Sequence, residues 1–236
     1  MPDLLMLLGV GAGAGIAGPF GNHATLGSKL VAHWKLNETS GQRHDSHSGA
    51  YHLGDNNTVG YTTGVLGNAA NLVAANSEWL GDLTDSVFNP TAAFSWSGWF
   101  RGTTFPTNVA IIGKWLAAPQ LCYRLVVNSS DQLQINFSTD GTASTLKAHS
   151  TVLSTATWYF FYFQCNGSQI GLSVNNDTLQ TTSFSGYPYA GTDPLRFGRQ
   201  ASVYWNGDID SVSFWNTTLS AGELTDLYNG GAGLDY

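Results

Sequence analysis

Beyond residue 30, hydrophobic and polar residues alternate along most of the chain. In residues 30–36 the apolar side chains occupy every second position, with His33 and Lys35 between them. Residues 94–101 show the same period of two. Such alternation is typical of a strand with one buried face, because successive side chains point to opposite sides of a sheet. Both segments are therefore predicted to be β-strands.

Two pairs of such segments are separated by short polar turns and predict β-hairpins. Residues 121–127 and 133–137 flank a Ser-Ser-Asp turn, and residues 158–163 and 170–174 flank an Asn-Gly-Ser turn. Strands joined by so short a turn pair antiparallel, so an antiparallel all-β fold is predicted. Residues 158–163 are aromatic on both faces, which predicts that this strand is covered on both sides.

Only one helix has a clear signal, at residues 220–229. Ser220 is followed three residues later by Glu223, which is the spacing of a capping box. Gly230 tolerates the left-handed conformation that commonly ends a helix. The apolar side chains on one face are Leu224, Leu227 and Tyr228. The pattern predicts one short C-terminal helix that packs on the strands.

The first 29 residues break the alternation, being apolar and then rich in Gly and Ala. They lack the basic start of a secretory signal, and their apolar run is too short and too glycine-broken to span a bilayer. Ordering such a segment costs roughly 1 to 2 kcal/mol per residue, so it needs a surface to pack on. Two hypotheses stay open: it folds back on its own domain, or it docks as an arm on a neighbouring subunit. The candidate docking residues are Leu4, Leu5, Leu7, Leu8 and Phe20.

Composition and charge narrow the range of partners. The chain has 236 residues, 42% of them hydrophobic and 13% aromatic, which is enough for a normal core. Charged residues are only 11%, the formal net charge is -7, and no Lys/Arg cluster occurs, so nucleic acid is a poor partner. Cys122 and Cys165 fit either a disulfide or two buried thiols, and their spacing does not form a zinc motif.

An ordered series of motifs runs through residues 30–230. It consists of residues 32–38 with the loop 45–49, the glycine-rich stretch 64–69, the tryptophan strand 94–100, the aromatic strand 158–163, and the runs 195–199 and 206–216 before Leu219-Ser220. This series resembles the laminin-G-like members of the concanavalin A-like lectin/glucanase superfamily. The resemblance implies an antiparallel two-sheet jelly-roll sandwich with one short C-terminal helix over residues 30–236. Residues 1–29 then form an additional N-terminal arm.

The resemblance also implies a structural calcium ion, Ca²⁺, beside the first loop. The residues at the matching positions are Asp45 and Asp210, helped by backbone carbonyls near Gly49. Calcium takes about six to eight oxygen ligands, and carboxylates from the loop and the closing strand would join the two ends of the chain. In the alternative interpretation, Asp45 caps a turn and Asp210 accepts backbone hydrogen bonds, as short acidic side chains commonly do.

Catalytic chemistry has little support in the sequence. The glucanase branch of the superfamily carries its two catalytic carboxylates on a Glu-x-Asp-x-x-Glu strand, and this sequence has no such strand. The three glutamates, Glu38, Glu78 and Glu223, stand singly, and Glu223 is assigned to the helix cap. The histidine-containing loop 44–47 is interpreted as a solvated turn rather than a metal site. We therefore predict a protein that is not an enzyme.

Aromatic residues in the predicted loops offer candidate surfaces for a sugar. Trp79 and Trp115 are two of them, although most aromatic residues of a sandwich belong to its core. The best local candidates lie in two turns rich in Gly, Pro and aromatic residues, a composition that predicts exposure. They are Tyr187 and Tyr189 in the first turn, and Tyr204, Trp205 and Asn206 in the second.

Two functions from different classes are consistent with this sequence. The first is a structural assembly protein, a subunit of a virion (phage capsid-decorating or tail-associated) or of another extracellular surface, which docks on other protein subunits through its arm. The alternative is an adhesion module that binds a cell-surface polysaccharide through loop aromatics. The sequence favours the first, because the arm needs a surface to pack on and no convincing secretory signal is present.

Overall fold

The alternating segments form the strands of two packed antiparallel sheets. The computed structural model of the chain describes residues 23–236. In chain order the strands are β1 Leu30–Trp34, β2 Gly54–Asn56, β3 Gly60–Thr63, β4 Asn68–Leu72, β5 Trp79–Leu83, β6 Phe94–Gly102, β7 Ala110–Trp115, β8 Leu121–Val127, β9 Gln132–Phe137, β10 Thr145–Val152, β11 Tyr159–Cys165, β12 Gln169–Val174, β13 Gln180–Ser183, β14 Leu195–Phe197, β15 Arg199–Gln200, β16 Val203–Tyr204 and β17 Gly207–Trp215. The helices are α1 Ala24–Gly27 and α2 Ala221–Tyr228, and 3₁₀ turns lie at Ala74–Asn76, Ser86–Phe88 and Asn229–Gly231.

The two sheets have different strand orders. The eight-stranded sheet runs β13-β12-β11-β6-β17-β4-β3, with β1 also paired to β17, and the seven-stranded sheet runs β10-β9-β8-β7-β14-β5-β2. Strands β15 and β16 form a separate hairpin. All ladders between the described strands are antiparallel. The predicted fold class, a two-sheet jelly-roll sandwich with one short C-terminal helix, is confirmed.

Both predicted hairpins are present. Strand β8 pairs with β9 so that Leu125 lies opposite Ile135, and β11 pairs with β12 so that Phe163 lies opposite Leu172. All four side chains are fully buried. The local pattern is sufficient here because each turn and its two strands are adjacent in the chain.

Aromatic rings fill the space between the sheets. Trp34 and Trp96 stack with their centroids 6.0 Å apart and an interplanar angle of 10°. Phe197 meets Trp34 edge-on at 5.3 Å, and Phe214 lies 4.7 Å from Trp96. Aromatic pairs of this kind contribute about 0.5–1.5 kcal/mol each beyond the area that they bury. The rings tie β1, β6 and β17 of one sheet to β14 of the other.

A second apolar cluster covers the outer side of the eight-stranded sheet. Trp99, Phe160 and Tyr162 face away from the main core. They form one cluster with Leu224 and Leu227 of α2. This layer accounts for the aromatic residues on both faces of β11, and it confirms the prediction that this strand is covered on both sides.

Helix α2 also anchors the beginning of the described chain. The predicted capping box is present, because the Ser220 side chain accepts a hydrogen bond from the Glu223 N–H and the Glu223 carboxylate accepts one from the Ser220 N–H. The same carboxylate pairs with Lys29. Leu26 is fully buried in the cluster beside the helix. The domain boundary predicted after Lys29 stays a prediction.

Two smaller features concern helices and cysteines. Helix α1 has four residues, too few to produce a periodic signal in the sequence. No helix within residues 23–236 combines the length and the apolar character needed to cross a bilayer. Cys122 and Cys165 are both buried free thiols.

Candidate ligand-binding site

The two predicted glycan-binding turns lie at opposite ends of β6. At its first residue, Phe94 pairs with Cys165, whose thiol donates to the carbonyl of Gly186 in the first turn at 3.6 Å. Just past its last residue, the Thr103 N–H donates to the carbonyl of Asn206 in the second turn at 2.9 Å. The nine residues of β6 separate the two ends by about 26 Å. The two turns therefore do not form one site.

The first turn presents two half-buried tyrosines. Tyr187 and Tyr189 both pack against the main core. The Tyr189 N–H donates to the Ser138 carbonyl at 2.7 Å, which fixes the turn against the end of β9. Each ring exposes only part of its surface, so this turn offers less stacking area than its composition predicts.

The second turn corrects the prediction for Trp205. Its side chain is fully buried and exposes no ring to a sugar. The ring packs near Phe100 and Phe105, with centroids 6.2 and 6.3 Å away. The Asn206 side chain closes the turn, because its Oδ1 accepts a hydrogen bond from the Ala74 N–H at 3.2 Å. The remaining candidate of this turn, Tyr204, keeps a partly exposed ring.

The outer face of the seven-stranded sheet carries a row of polar side chains. Arg124 of β8 lies opposite Asn136 of β9 on one side and opposite Gly113 of β7 on the other. Arg196 of β14 lies opposite Gly113 in turn. Paired residues of antiparallel strands point to the same side of the sheet, and this side is the outer one because Leu125, the next residue of β8, belongs to the core.

Tryptophan rings support the arginine side chains on this face. The Arg124 guanidinium lies over the Trp115 ring at 4.7 Å. Trp79 lies beneath Arg196 at 5.5 Å and beneath Arg199 at 4.6 Å. Cation–π contacts contribute roughly 0.5–2 kcal/mol each and restrain the side chains. Since Trp79 is 6% and Trp115 is 7% exposed, both rings act as supports and not as exposed platforms.

The hairpin β15–β16 borders this face. Arg199 pairs with Tyr204 across the hairpin, with the guanidinium 5.9 Å from the Tyr204 ring centroid. Gln200 accepts a hydrogen bond from Arg124 Nη1, which links the hairpin to β8. Planar guanidinium and amide groups therefore lie beside one partly exposed phenol ring.

We call this surface the arginine face. Its members are Arg124, Asn136, Arg196, Arg199, Gln200 and Tyr204, with Trp79 and Trp115 beneath them. It holds three of the five arginines in a chain with a net charge of -7. Arg196 is balanced by Asp82 at 3.1 Å and by Asp193 at 2.8 Å. Arg124 and Arg199 pair with no carboxylate within residues 23–236.

No local pattern in the sequence indicates the arginine face. Arg124 and Arg196 each stand alone in an apolar strand, so they form no local cluster. Their meeting depends on the pairing of β14 with β7, which no local pattern encodes. The available signal is a single arginine at an outward position of the apolar strand 121–127.

Asp45 is saturated by hydrogen bonds from β1 and from its own loop. Its Oδ1 accepts from the N–H groups of His33 and His47 at 3.1 and 3.0 Å, and its Oδ2 accepts from the Ser48 hydroxyl. Burial raises the pKa of Asp45, but the hydrogen bonds outweigh it and hold the pKa below the usual value. Gly49 adopts φ 69° in the same loop. This geometry matches the interpretation of Asp45 as a turn cap.

Asp210 is fully buried and closes the glycine-rich turn before β4. Its Oδ2 accepts from the N–H groups of Val65 and Leu66 at 2.7 and 3.0 Å. Its Oδ1 is buried without a hydrogen-bond partner. Burial raises the pKa of Asp210 to about 7, although the hydrogen bonds from Leu66 and Val65 act to lower it.

These two environments do not fit a calcium ion. Three of the four carboxylate oxygens face N–H or O–H donors, whereas calcium requires about six to eight oxygen ligands around one point. In the part of the chain that the structure describes, no three or more His, Cys, Asp or Glu side chains are grouped to hold a metal. The calcium site implied by the resemblance stays a prediction that these side chains do not support.

A separate cleft of about 430 Å³ lies between α2 and the turn after β12. Its lining residues are Asn176, Asp177, Thr178, Leu179, Leu219, Ala221, Leu224 and Thr225. The volume suits a small ligand, but the lining contains neither an aromatic ring nor a cation. The arginine face therefore offers more of the planar polar groups that recognise a polar ligand.

Comparison with known proteins agrees with the fold. A laminin G-type family model, described as the concanavalin A-like lectin/glucanases superfamily, matches residues 76–225. No curated protein shows a significant match to the chain.

Solved structures share the architecture at low identity. Domain 4 of an extracellular GH43 arabinanase from Geobacillus stearothermophilus, in complex with arabinotriose, has 17% identity and a TM-score of 0.67 over 84% of this chain and 97% of that one. The binding domain of Paraclostridial Mosquitocidal Protein 1 has 13% identity and a TM-score of 0.71 over 87% and 53%. Botulinum neurotoxin type C, whose cell entry depends on two ganglioside molecules, has 13% identity and a TM-score of 0.70 over 90% and 53%. The chain thus spans about half the length of the two toxin structures, and these likenesses show the fold alone.

Asp210→Asn is expected to change how stability depends on pH. The native carboxyl keeps its proton up to about pH 7, whereas in the unfolded chain it releases it near the ordinary pKa of 3.8. Between pH 3.8 and about pH 7 the native state therefore binds more protons than the unfolded chain. The stability that Asp210 contributes below pH 3.8 is lost as the pH rises through this range to about 7. Relative to the variant, the wild-type Tm should fall by at least about 4 °C between pH 4 and pH 7 and then level off. Parallel Tm profiles for the two proteins, measured in chelator, would contradict the raised pKa.

Calcium removal is expected to leave stability unchanged. A ligand that binds only the native state raises Tm, and its removal lowers it. Because three of the four carboxylate oxygens of Asp45 and Asp210 accept from backbone and side-chain donors, we expect excess chelator to shift Tm by less than about 1 °C. Differential scanning calorimetry with and without chelator measures this. A drop that calcium reverses and magnesium does not would restore the calcium site.

Proposed function

The chain belongs to the laminin G-like family of the concanavalin A-like lectin/glucanase superfamily, and on that premise we propose that it is a carbohydrate-binding module that holds a polysaccharide on its arginine face. The proposal depends on one observation: planar polar side chains and the Tyr204 ring lie together on the arginine face. Sugars offer hydroxyl groups that both donate and accept hydrogen bonds, and C–H faces that pack on aromatic rings. Guanidinium, amide and phenol groups meet both requirements.

The restraint of these side chains supports the proposal. Trp115 and Trp79 hold the guanidinium planes, and the link from Gln200 to Arg124 fixes the hairpin. Groups that are held in place before binding lose less conformational entropy when a ligand arrives. The arginine face is therefore organised for binding in the absence of a ligand.

Two of the structurally similar proteins also support a carbohydrate ligand. The arabinanase domain was solved in complex with arabinotriose, and cell entry of botulinum neurotoxin type C depends on interaction with two ganglioside molecules. The arabinanase domain, which this chain matches over 97% of its length, combines the sandwich fold with a carbohydrate ligand. Transfer of that ligand class to this chain is part of the proposal.

The proposed module is not an enzyme. Glycoside hydrolysis needs two carboxylates facing one sugar, about 5 to 10 Å apart. Asp208 is paired with Arg101 at 2.7 Å, and Asp210 is buried beneath the turn before β4. The glutamates have structural partners: Glu38 accepts from the His44 N–H, Glu78 from the Val73 N–H, and Glu223 caps α2. These acids are therefore occupied in holding the fold.

The assembly role predicted from the sequence is a second proposal. The docking candidates Leu4, Leu5, Leu7, Leu8 and Phe20 lie outside the described residues. The chain enters the described domain beside α2, where Leu26 is buried and Lys29 pairs with Glu223. That entry lies on the outer side of the eight-stranded sheet, away from the arginine face, so an arm-mediated assembly and carbohydrate binding are compatible. A virion or other extracellular surface as its location is part of this second proposal.

Carbohydrate binding is tested with a glycan array followed by titration calorimetry on the hits. Tyr204→Ala removes the exposed ring of the arginine face and is expected to weaken binding about three- to tenfold. Tyr61→Ala is the matched control, because Tyr61 is 54% exposed on β3 of the other sheet. Absence of any glycan hit, or equal weakening by the control, would sink the proposal.

Deletion of residues 1–22 tests the assembly role. An arm that docks on a neighbouring subunit, and not on its own domain, predicts an unchanged Tm for the truncated chain. Loss of higher oligomers in analytical ultracentrifugation is expected if the arm docks on a neighbouring subunit. A truncated chain with the same oligomeric state as the full chain would refute the docking.

A further inference from the structure

The five arginines of the chain differ in how their charge is balanced. Three pair with carboxylates: Arg43 with Asp55, Arg101 with Asp208, and Arg196 with Asp82 and Asp193. Arg199 donates to the Ala201 carbonyl and lies at the edge of the face. Arg124 is only 9% exposed, and it pairs with no carboxylate in the described chain. Among residues 23–236, Arg124 is therefore a buried cation without an anion.

A buried guanidinium without a carboxylate partner is energetically unfavourable for the protein without a ligand. Burial lowers the pKa of Arg124 to about 10, and no neighbouring carboxylate opposes that effect. Arginine nevertheless stays protonated at neutral pH, so the positive charge remains and is poorly solvated. An anion placed against the guanidinium would relieve this cost.

The hydrogen bonds of Arg124 leave the Nε–Nη2 edge of its guanidinium unpaired among the described residues, and a ligand reaches this edge from the Nη2 side. Nη1 donates to Gln200 Oε1. Nε is buried without a partner, and Nη2 donates to no acceptor among residues 23–236. Nε and Nη2 form the edge whose two N–H bonds point the same way, and this edge matches the two oxygens of a carboxylate. Stacking on Trp115 fixes the plane in which that carboxylate would lie.

We propose that Arg124 binds the carboxylate of an acidic sugar through its Nε–Nη2 edge. This inference rests on the carbohydrate function proposed above and names the ligand class of the same site. Arg199 provides a second cation without a carboxylate partner, on the hairpin that Gln200 links to Arg124. A neutral sugar leaves the buried charge unbalanced, so a uronic-acid type of ligand is preferred.

The test is titration calorimetry of the full chain with two oligosaccharides of equal length, an oligogalacturonate and an uncharged galactan. The wild-type chain is expected to bind the oligogalacturonate at least tenfold more tightly. Arg124→Met is expected to abolish this preference, so that the ratio of the two affinities falls to about one. Lys35→Met removes the same charge from a half-buried position just after β1, where Lys35 pairs with Asp235, and is expected to keep the preference.

Two further measurements separate the alternatives. A sulfated galactan of the same length distinguishes a planar carboxylate from any oxyanion, and equal or tighter binding of the sulfated oligomer overturns the carboxylate assignment. Arg124→Lys keeps the charge without the planar fork and is expected to lose most of the preference. Arg124→Met removes the unpaired buried charge but also the contacts with Trp115 and Gln200, so its Tm is measured beside its affinities. If its Tm falls, Arg124→Lys decides the test.

The outcomes distinguish this inference from the function on which it rests. Equal wild-type affinity for the acidic and neutral oligomers overturns the acidic-sugar inference and leaves carbohydrate binding in place. Retention of the preference in Arg124→Met also overturns it. Failure to bind either oligomer, together with a glycan array without hits, overturns both.

Discussion

The antiparallel pairing of β17 with three other strands is the constraint on which the rest of the sandwich depends. β17 pairs with β6 along its length, with β4 through its first residues and with β1 through its last. All of its residues are buried, because the main core lies on one side and the α2 layer on the other. The β17–β6 ladder has a register shift between Asp210 and Ser213. The shift lies where the other edge of β17 changes from pairing with β4 to pairing with β1. Segments near the two ends of the chain are thereby fixed to each other.

Side chains alternate between the two faces of each strand, and this separates the residues that pack in the core from those proposed to bind a ligand. In β8, Leu125 and Tyr123 fill the core, while Arg124 between them faces outward. In β14, Leu195 and Phe197 do the same on either side of Arg196. The side chains proposed to contact a ligand therefore occupy positions that the core does not use. The sandwich keeps its charge low elsewhere, with only 11% charged residues, so the arginine face differs from the rest of the surface.

Features encoded by neighbouring residues were predictable from the sequence. The hairpins and the Ser220–Glu223 capping box are of this kind, because the interacting residues lie within one short segment. The interpretation of Asp45 as a turn cap was also available, since a short carboxylate readily accepts from N–H groups two residues away. Tyr204 is partly exposed, as the composition of its turn predicts.

Features encoded by distant pairing were not predictable in the same way. Trp205 has the same local context as Tyr204, yet it points inward, and only the packing near Phe100 and Phe105 decides this. The arginine face depends on the order of strands in a sheet, which brings Arg124 and Arg196 to either side of Gly113. That Arg124 has no carboxylate partner within residues 23–236 is visible only when its neighbours in the sheet are in place.

The entry of the chain beside α2 has a geometric consequence. The arginine face and the beginning of the described chain lie on opposite sides of the two-sheet stack, so copies gathered through their N-terminal segments would all direct their ligand surfaces outward. Several weak contacts on a repeating polymer then act together, because each contact after the first is intramolecular and proceeds at a high effective concentration. A shallow surface of modest affinity is sufficient in such an array, since avidity supplies the strength of attachment.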